Sequence, residues 1–173
     1  MKKHILKIND VKAAVLTCSD KGSRGLRRDT AGPAVEKTLS RLQSSGLDVK
    51  ITARLILPDE RKQIGAMLKK WCDTGIADVI FTVGGTGMGP RDCAPEATRD
   101  VMDKLCPGIP ELIRWESFKI TKHAALSRAT AGIRKKTLII NLPGSQKAAR
   151  QTSAALLAIL PHAVELLRGH TEH

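Results

Sequence analysis

Aromatic residues are scarce in this sequence: two Trp, two Phe and no Tyr amount to 2% of its 173 residues. Proteins that bind single-stranded nucleic acid without sequence preference stack bases on aromatic side chains, so this shortage argues against that function. Cysteine is also sparse, and the four cysteines include no Cys-x-x-Cys pair. They therefore indicate neither a zinc knuckle nor a redox dithiol, and the histidines show no zinc-ligand spacing.

Long hydrophobic runs are missing as well. The apolar stretch that begins at Val11 stops at Ser19-Asp20, which is too short for a signal peptide or a membrane span. We therefore expect a cytoplasmic protein with no membrane partner. Because 42% of the residues are hydrophobic, the chain can bury a core without disulfides or metal, and its length predicts one domain over residues 1–173.

Acidic residues are outnumbered, since 29 Lys and Arg stand against 17 Asp and Glu and give a formal net charge of +12. Such a balance indicates an anionic partner: nucleic acid, an acidic lipid surface or a small phosphorylated ligand. Charge alone does not choose among them. No predicted helix carries a continuous basic stripe and no nucleic-acid recognition motif is present, so we expect no nucleic-acid partner and a mostly solvated set of cations.

Apolar runs typical of buried strands alternate with segments of helical spacing. Strands are predicted over 11–18, 49–57, 77–83 and 137–142, and helices from Asp29-Thr30 to Gly46, from Asp59 to near Gly75, from Pro95, and from Ser145 with a break at Pro161. This order predicts an α/β fold of three layers, a mostly parallel sheet with helices on both faces. Ligands bind such sheets beyond the carboxyl ends of the strands, so the loops at 19–28, 58–60, 84–94 and 142–145 are candidate binding loops.

Four glycines lie in the segment Gly84 to Asp92, directly after the third predicted strand. Glycine lets the backbone approach a ligand closely and present its N–H groups, which suits a phosphate. The segment is not a P-loop, because no Gly-Lys-Ser/Thr follows, and it is not a dinucleotide fingerprint, because Pro90 stands at the third glycine. The residues alone also allow a generic glycine-rich turn.

The motif Gly84-Gly85-Thr86-Gly87, followed after four residues by Asp92-Cys93-Ala94-Pro95-Glu96-Ala97-Thr98, resembles the signature of molybdopterin adenylyltransferases and their molybdopterin-binding relatives. Segments that resemble the family in the same order are Ser19-Asp20, Asp29 to Gly32, Leu57 to Glu60, Ser127 to Lys135 and Asn141 to Ser145. The resemblance runs from about Val11 to Leu167. Two departures stand out: Ala94 replaces a Thr that would cap the next helix, and the spacer Met88 to Arg91 is less basic than in many relatives.

The resemblance implies a molybdopterin-binding-domain fold and adenylyl transfer from ATP to the terminal phosphate of molybdopterin. It implies that Asp59 and Asp92 are catalytic and hold Mg²⁺, a hard cation that prefers carboxylate and phosphate oxygens. The substrate-binding residues that it implies are Ser19, Gly84, Gly85, Thr86, Gly87, Arg91, Pro143, Gly144 and Ser145. It also implies a homotrimer and hand-over of the product to a molybdenum-insertion enzyme.

Simpler interpretations exist for the same residues. Asp59 could cap the helix after Pro58, Asp92 could satisfy N–H groups in a turn or cap the helix at Pro95, and Ser145 could cap its own helix. The candidates for charge neutralisation are Arg91, Arg128, Arg134 and Lys135, although lone cations are usually solvated. The alternative function is a molybdopterin-binding or scaffold module without transferase activity, and the presence of both Asp59 and Asp92 favours the enzyme.

Overall fold

The computed structural model describes residues 8–45 and 47–170, so the predicted helix end at Gly46 lies outside the described residues. Its strands are β1 (Asp10–Cys18), β2 (Asp48–Leu57), β3 (Val79–Val83), β4 (Lys104–Leu105), β5 (Ala131–Arg134) and β6 (Thr137–Leu142). They form one sheet in the order β2-β1-β3-β6-β5-β4. The pairs β1–β2, β1–β3 and β3–β6 are parallel, whereas β5 is antiparallel to both β6 and β4. The predicted mostly parallel sheet is confirmed, with an antiparallel edge that was not predicted.

The helices are α1 (Asp20–Ser23), α2 (Ala31–Leu39), α3 (Arg61–Asp73), α4 (Ala94–Arg99), α5 (Gly108–Phe118), α6 (Gln146–Leu156) and α7 (Leu160–Leu167). Short 3₁₀ segments cover Ser40–Ser45 and Lys122–Leu126. The predicted break near Pro161 is confirmed, because α6 ends at Leu156 and α7 begins with a proline in its first turn. No helix of the described residues is both long and apolar enough to cross a bilayer.

Two hydrophobic clusters cover the two faces of the sheet. Since successive side chains of a strand point to opposite faces, Val15 and Phe81 pack into a cluster with α2, α5, α6 and α7. Leu16 and Ile80 instead pack with α3 and α4. The chain therefore folds as three layers, as predicted, and the parallel strands β1, β3 and β6 are covered on both faces, whereas β2 forms a partly exposed edge.

Asn141 fastens the end of β6 to its neighbours from inside the core. Its Nδ2 donates to Oγ1 of Thr82 and of Thr98, each at 2.8 Å, and its Oδ1 accepts from the Thr130 N–H at 3.1 Å. All four residues are fully or almost fully buried, so each bond satisfies a polar group that would be costly to leave unpaired. This network holds β6 against β3 and α4, the elements that carry the loops of the site.

Candidate active site

The predicted binding loops all leave the same edge of the sheet. Because β1, β2, β3 and β6 run in the same direction, their carboxyl ends place the loops after Cys18, Leu57, Val83 and Leu142 side by side. Main-chain hydrogen bonds join neighbouring loops: Ser19 N–H donates to the Leu57 carbonyl at 2.8 Å, and Gly84 N–H donates to the Leu142 carbonyl at 3.0 Å.

A cavity of about 330 Å³ opens among these loops. The predicted site residues that line it are Ser19, Asp59, Gly84, Gly85, Asp92, Gly144 and Ser145. Both serines also cap helices, since Ser19 Oγ accepts from the Gly22 N–H at 3.0 Å and Ser145 Oγ accepts from the Ala148 N–H at 3.2 Å. We call this space the Asp59 cavity.

Asp59 carries a buried oxygen without a partner. Its Oδ2 accepts from the Asp20 N–H at 3.0 Å, and its own N–H donates to Asp20 Oδ1 at 3.1 Å. Its Oδ1 is buried and accepts no hydrogen bond from the described residues. Burial is the main cause that raises the pKa of Asp59, and the negative charges of Asp20 and Asp92 raise it further. A cation bound at Oδ1 would relieve both costs.

Asp59 does not cap the helix after Pro58. Residue Glu60 is the N-cap of α3, and its side chain makes no capping bond. The interpretation of Asp59 as a helix cap is therefore wrong, and its carboxylate is left to the loop of Asp20 and to the cavity.

Asp92 reaches the Asp59 cavity from the glycine-rich loop. Its Oδ2 accepts from the Gly89 N–H at 2.8 Å, while its own N–H donates to the Gly89 carbonyl at 3.0 Å. The turn interpretation is thus correct, and it is compatible with a second role because the carboxylate also lines the cavity. Asp92 does not cap α4: the N-cap is Cys93 without a side-chain bond.

The chemistry of this pair of carboxylates fits Mg²⁺. Within residues 8–45 and 47–170, no group of three or more His, Cys, Asp or Glu side chains forms a closed metal site. Mg²⁺ commonly binds proteins through one or two carboxylates and completes its shell with phosphate oxygens and water. The unpartnered oxygen of Asp59 and the carboxylate of Asp92, a residue of the same cavity, would supply the protein's share.

Arg91 was expected to bind substrate, but its guanidinium binds acidic side chains of the loops after β1 and β2. Its Nε and Nη2 donate to the two carboxylate oxygens of Asp20 at 3.1 and 3.0 Å, and Nη2 also donates to Glu60 Oε1 at 2.7 Å. The hydrogen bonds from Arg91 lower the pKa of Asp20, which favours the charged form that accepts the Asp59 N–H. Arg91 does not appear in the lining of the Asp59 cavity, so contact with substrate stays a prediction.

The remaining predicted residues, Thr86, Gly87 and Pro143, line a second cavity of about 420 Å³ on the other side of the glycine-rich loop. Apolar side chains such as Met88, Ile113 and Leu126 form much of its wall. The loop thus separates a charged cavity from an apolar one.

Arg134 and Lys135 were candidates for neutralising substrate charge, but neither lines the Asp59 cavity. Arg134 pairs with Thr137, the first residue of β6, so it lies at the opposite edge of the sheet from the Gly84 loop. Its guanidinium donates to both oxygens of Asp73, and Lys135 also forms an ion pair with Asp73. These cations join β5 to the end of α3, far from the cavity.

Comparison with known proteins agrees with this geometry. Residues 14–162 match the model of a family described as a probable molybdopterin binding domain. The chain belongs to this family. It is 42% identical over 156 residues to a molybdopterin adenylyltransferase of Helicobacter pylori, covering 90% of this chain and 87% of that protein. It is also 42% identical over 153 residues to the molybdenum cofactor synthesis protein cinnamon of Drosophila melanogaster, of which it spans only 25%.

A solved structure supports the same assignment. The molybdopterin biosynthesis enzyme MoaB from Thermus thermophilus aligns with a TM-score of 0.83 and 45% identity, over 92% of this chain and 97% of that one. The molybdopterin-binding-domain fold that the sequence predicted is therefore confirmed.

In this member of the molybdopterin-binding domain family, Arg128 holds the glycine-rich loop. Its guanidinium donates to the carbonyls of Gly87 at 2.6 Å and Asp92 at 2.7 Å and pairs with Glu96, while its own N–H donates to the Thr86 carbonyl at 3.0 Å. Because protein acceptors use these donors, the geometry does not favour Arg128 as a candidate for neutralising substrate charge. Arg128 is instead a positioning residue that fixes the main chain of Asp92.

We expect Arg128→Lys to lower turnover roughly tenfold or more, because one ammonium group cannot span the acceptors that a guanidinium fork reaches and small displacements of a reacting group are costly. The Michaelis constant for ATP and the melting temperature should change much less than turnover. The matched control is Arg61→Lys, which alters a similar paired arginine at Asp100 on the surface. Equal turnover of both variants would contradict the positioning role.

Sequence reasoning named Asp20 and Asp29 but did not place them in the site. Asp29 lines the Asp59 cavity, accepts the Ala31 and Gly32 N–H groups at the start of α2 at 3.0 Å each, and accepts from Thr17 Oγ1 at 2.7 Å. Asp20 orders Asp59. The sequence did offer one signal: Asp20 lies in the candidate loop 19–28 at the carboxyl edge of the sheet, and Asp29 follows that loop directly.

Proposed function

We propose that this protein transfers adenylate from ATP to the terminal phosphate of molybdopterin. The observation that carries the proposal is the buried, unpartnered Oδ1 of Asp59 beside Asp92 at the glycine-rich loop. Its support from comparison is the 42% identity to a molybdopterin adenylyltransferase over 90% of the chain. Both acidic positions line the same cavity as Gly84 and Gly85 of the glycine-rich loop and Gly144 of the second ligand loop.

The reaction joins two anions. A terminal phosphate oxygen of the pterin attacks the α-phosphorus of ATP, the bond from that phosphorus to the oxygen bridging the α- and β-phosphates breaks, and its electron pair leaves with pyrophosphate. Catalysis of such a step requires charge neutralisation and in-line positioning more than covalent chemistry. Asp59 and Asp92 would hold Mg²⁺, which neutralises phosphate charge when bound.

The glycine-rich loop supplies N–H donors for the phosphates. The Gly84 N–H is already used by the Leu142 carbonyl, but the N–H groups of Gly85, Thr86 and Gly87 donate to no acceptor in the described part of the chain. Preorganised donors of this kind stabilise developing negative charge without reorganisation during the reaction. Of these residues, Gly85 lines the Asp59 cavity, and the start of α6 at Ser145 adds the positive end of a helix dipole there.

The two cavities suit two substrates. Phosphate chemistry belongs in the charged Asp59 cavity, and the apolar wall near Met88 and Ile113 suits a flat ring system.

The proposed assembly is a cytoplasmic homotrimer, and exposed Leu105, Trp115, Ile120 and Leu126 offer apolar surface for association. Sedimentation as a monomer alone at micromolar concentration would contradict the trimer. We also propose that the product is handed over to a molybdenum-insertion enzyme; in its support, a region similar to this chain makes up 25% of cinnamon, a longer molybdenum cofactor synthesis protein.

The test is incubation of the protein with molybdopterin, Mg²⁺ and labelled ATP. We expect pyrophosphate release that depends on the pterin, together with a labelled adenylyl-pterin product. Pterin binding without pyrophosphate release would contradict the transferase and support a binding or scaffold module.

A further inference from the structure

Most arginines of this protein are held by protein acceptors. Carboxylate or carbonyl oxygens accept from, or pair with, Arg54, Arg61, Arg91, Arg99, Arg114, Arg128, Arg134 and Arg168. Over residues 8–45 and 47–170, no such partner is found for the guanidinium groups of Arg24, Arg27, Arg28, Arg41 and Arg150. All but Arg24 line the Asp59 cavity or the groove beside it. The unpaired guanidinium groups are thus concentrated at one place.

That groove lies between α2 and α6 and has a volume of about 600 Å³. Its cations are Arg28, Lys37, Arg41 and Arg150, and we call it the basic groove. Among the described residues that line it, the one carboxylate is Asp29. The Asp29 oxygens are already occupied by the Thr17 hydroxyl and by two N–H groups of α2. The four cations outnumber this one carboxylate, so the lining carries net positive charge.

The basic groove is continuous with the Asp59 cavity. Arg28, Asp29 and Thr30 line both spaces, and Ser145 of the cavity is followed directly by Gln146 of the groove. The N-terminus of α6 lies at this junction, where the helix dipole favours an anion. A phosphate chain that begins at Asp59 and Asp92 can therefore extend into the groove, where Asp29 is the one carboxylate among four cations.

We propose that the basic groove binds the pyrophosphate released by adenylyl transfer, and the β- and γ-phosphates of ATP before the transfer. The proposal rests on the function proposed above. In an in-line displacement the leaving group departs on the side opposite the attacking oxygen, so the two anions need separate spaces. The Asp59 cavity holds the reacting phosphorus. The groove receives the leaving pyrophosphate, whose negative charge the groove's cations stabilise.

The test compares the wild type with Arg41→Gln/Arg150→Gln by calorimetric binding of pyrophosphate, ATP and AMP in Mg²⁺. Both side chains are exposed and unpaired, so the double variant should fold and melt as the wild type does. We expect pyrophosphate and ATP to bind about tenfold or more weakly, because each lost guanidinium removes a charge-assisted contact. AMP, which lacks the leaving phosphates, should bind within about twofold of the wild type because it loses no such contact.

The matched control is Lys62→Gln/Lys69→Gln, which removes the same charge from exposed positions of α3 on the other face of the sheet. Equal weakening of pyrophosphate binding in both double variants would overturn the proposal, since net charge rather than the groove would then be responsible. Submicromolar duplex DNA binding that the groove variant alone loses, with unchanged pyrophosphate binding, would also overturn it in favour of a nucleic-acid surface. Groove-dependent pyrophosphate binding without pterin-dependent turnover would support the groove and contradict the transferase.

Discussion

Asp59→Asn and Asp92→Asn are each expected to lower adenylyl transfer at least 100-fold, roughly the scale for loss of a group that stabilises charge in a phosphoryl-transfer site. Asparagine keeps the shape of aspartate but removes the negative charge that attracts Mg²⁺. The effect should be largest for Asp59, whose Oδ1 has no partner within the described chain. Turnover is measured as pterin-dependent pyrophosphate release at saturating ATP.

Folding should not explain the loss in Asp59→Asn. Burial raises the pKa of Asp59, which means that the folded protein disfavours the charged form. A neutral amide removes that cost, so the melting temperature should stay the same or rise. Asp48→Asn is the control, because Asp48 is exposed at the start of β2, where it pairs with Lys50. Near-normal turnover by both site variants would contradict the assignment of Asp59 and Asp92 as metal ligands.

The parallel part of the fold could be predicted because its signals are local. The strands β1, β2, β3 and β6 are apolar runs that end at Ser19, Pro58, Gly84 and Pro143, so the sequence marks where each loop begins. The antiparallel edge has no such signal. β4 has two exposed residues, and β5 depends on pairing with β6 across a tight turn in which Lys135 adopts φ 52°. The strands that pair with β4 and β5 are set by the tertiary fold, and the local sequence does not mark them.

The acids of the site could be predicted, but the roles of the arginines could not. Asp59 and Asp92 stand beside the residues that end strands or form glycine turns, so their position follows from topology. Arg91 pairs with Asp20 across 71 positions of sequence. Arg128 binds main-chain carbonyls, which every residue possesses and no sequence pattern reveals. An arginine in a motif therefore indicates that its guanidinium binds an acceptor. The sequence does not say whether that acceptor belongs to a ligand or to a loop of the protein.

Gly84→Ala is expected to destabilise the protein by about 3 kcal/mol or more and to abolish adenylyl transfer. Gly84 has φ 102°, a conformation that costs an L-residue roughly 1–2 kcal/mol. A Cβ at this position would lie 2.4 Å from the carbonyl oxygen of Cys18. That oxygen belongs to the buried end of β1 and cannot move aside, and forced overpacking costs typically 1–3 kcal/mol more. Urea denaturation measures the sum.

Gly75→Ala separates the two contributions. Gly75 also has a positive φ, 63°, but a Cβ there would meet no atom within 4 Å. Its variant should therefore lose only the conformational cost, about 1–2 kcal/mol, with turnover per folded molecule unchanged. If Gly84→Ala were destabilised no more than Gly75→Ala and remained active, the loop would have room to shift. The close approach of Gly84 to Cys18 would then not be what places Gly85 at the Asp59 cavity.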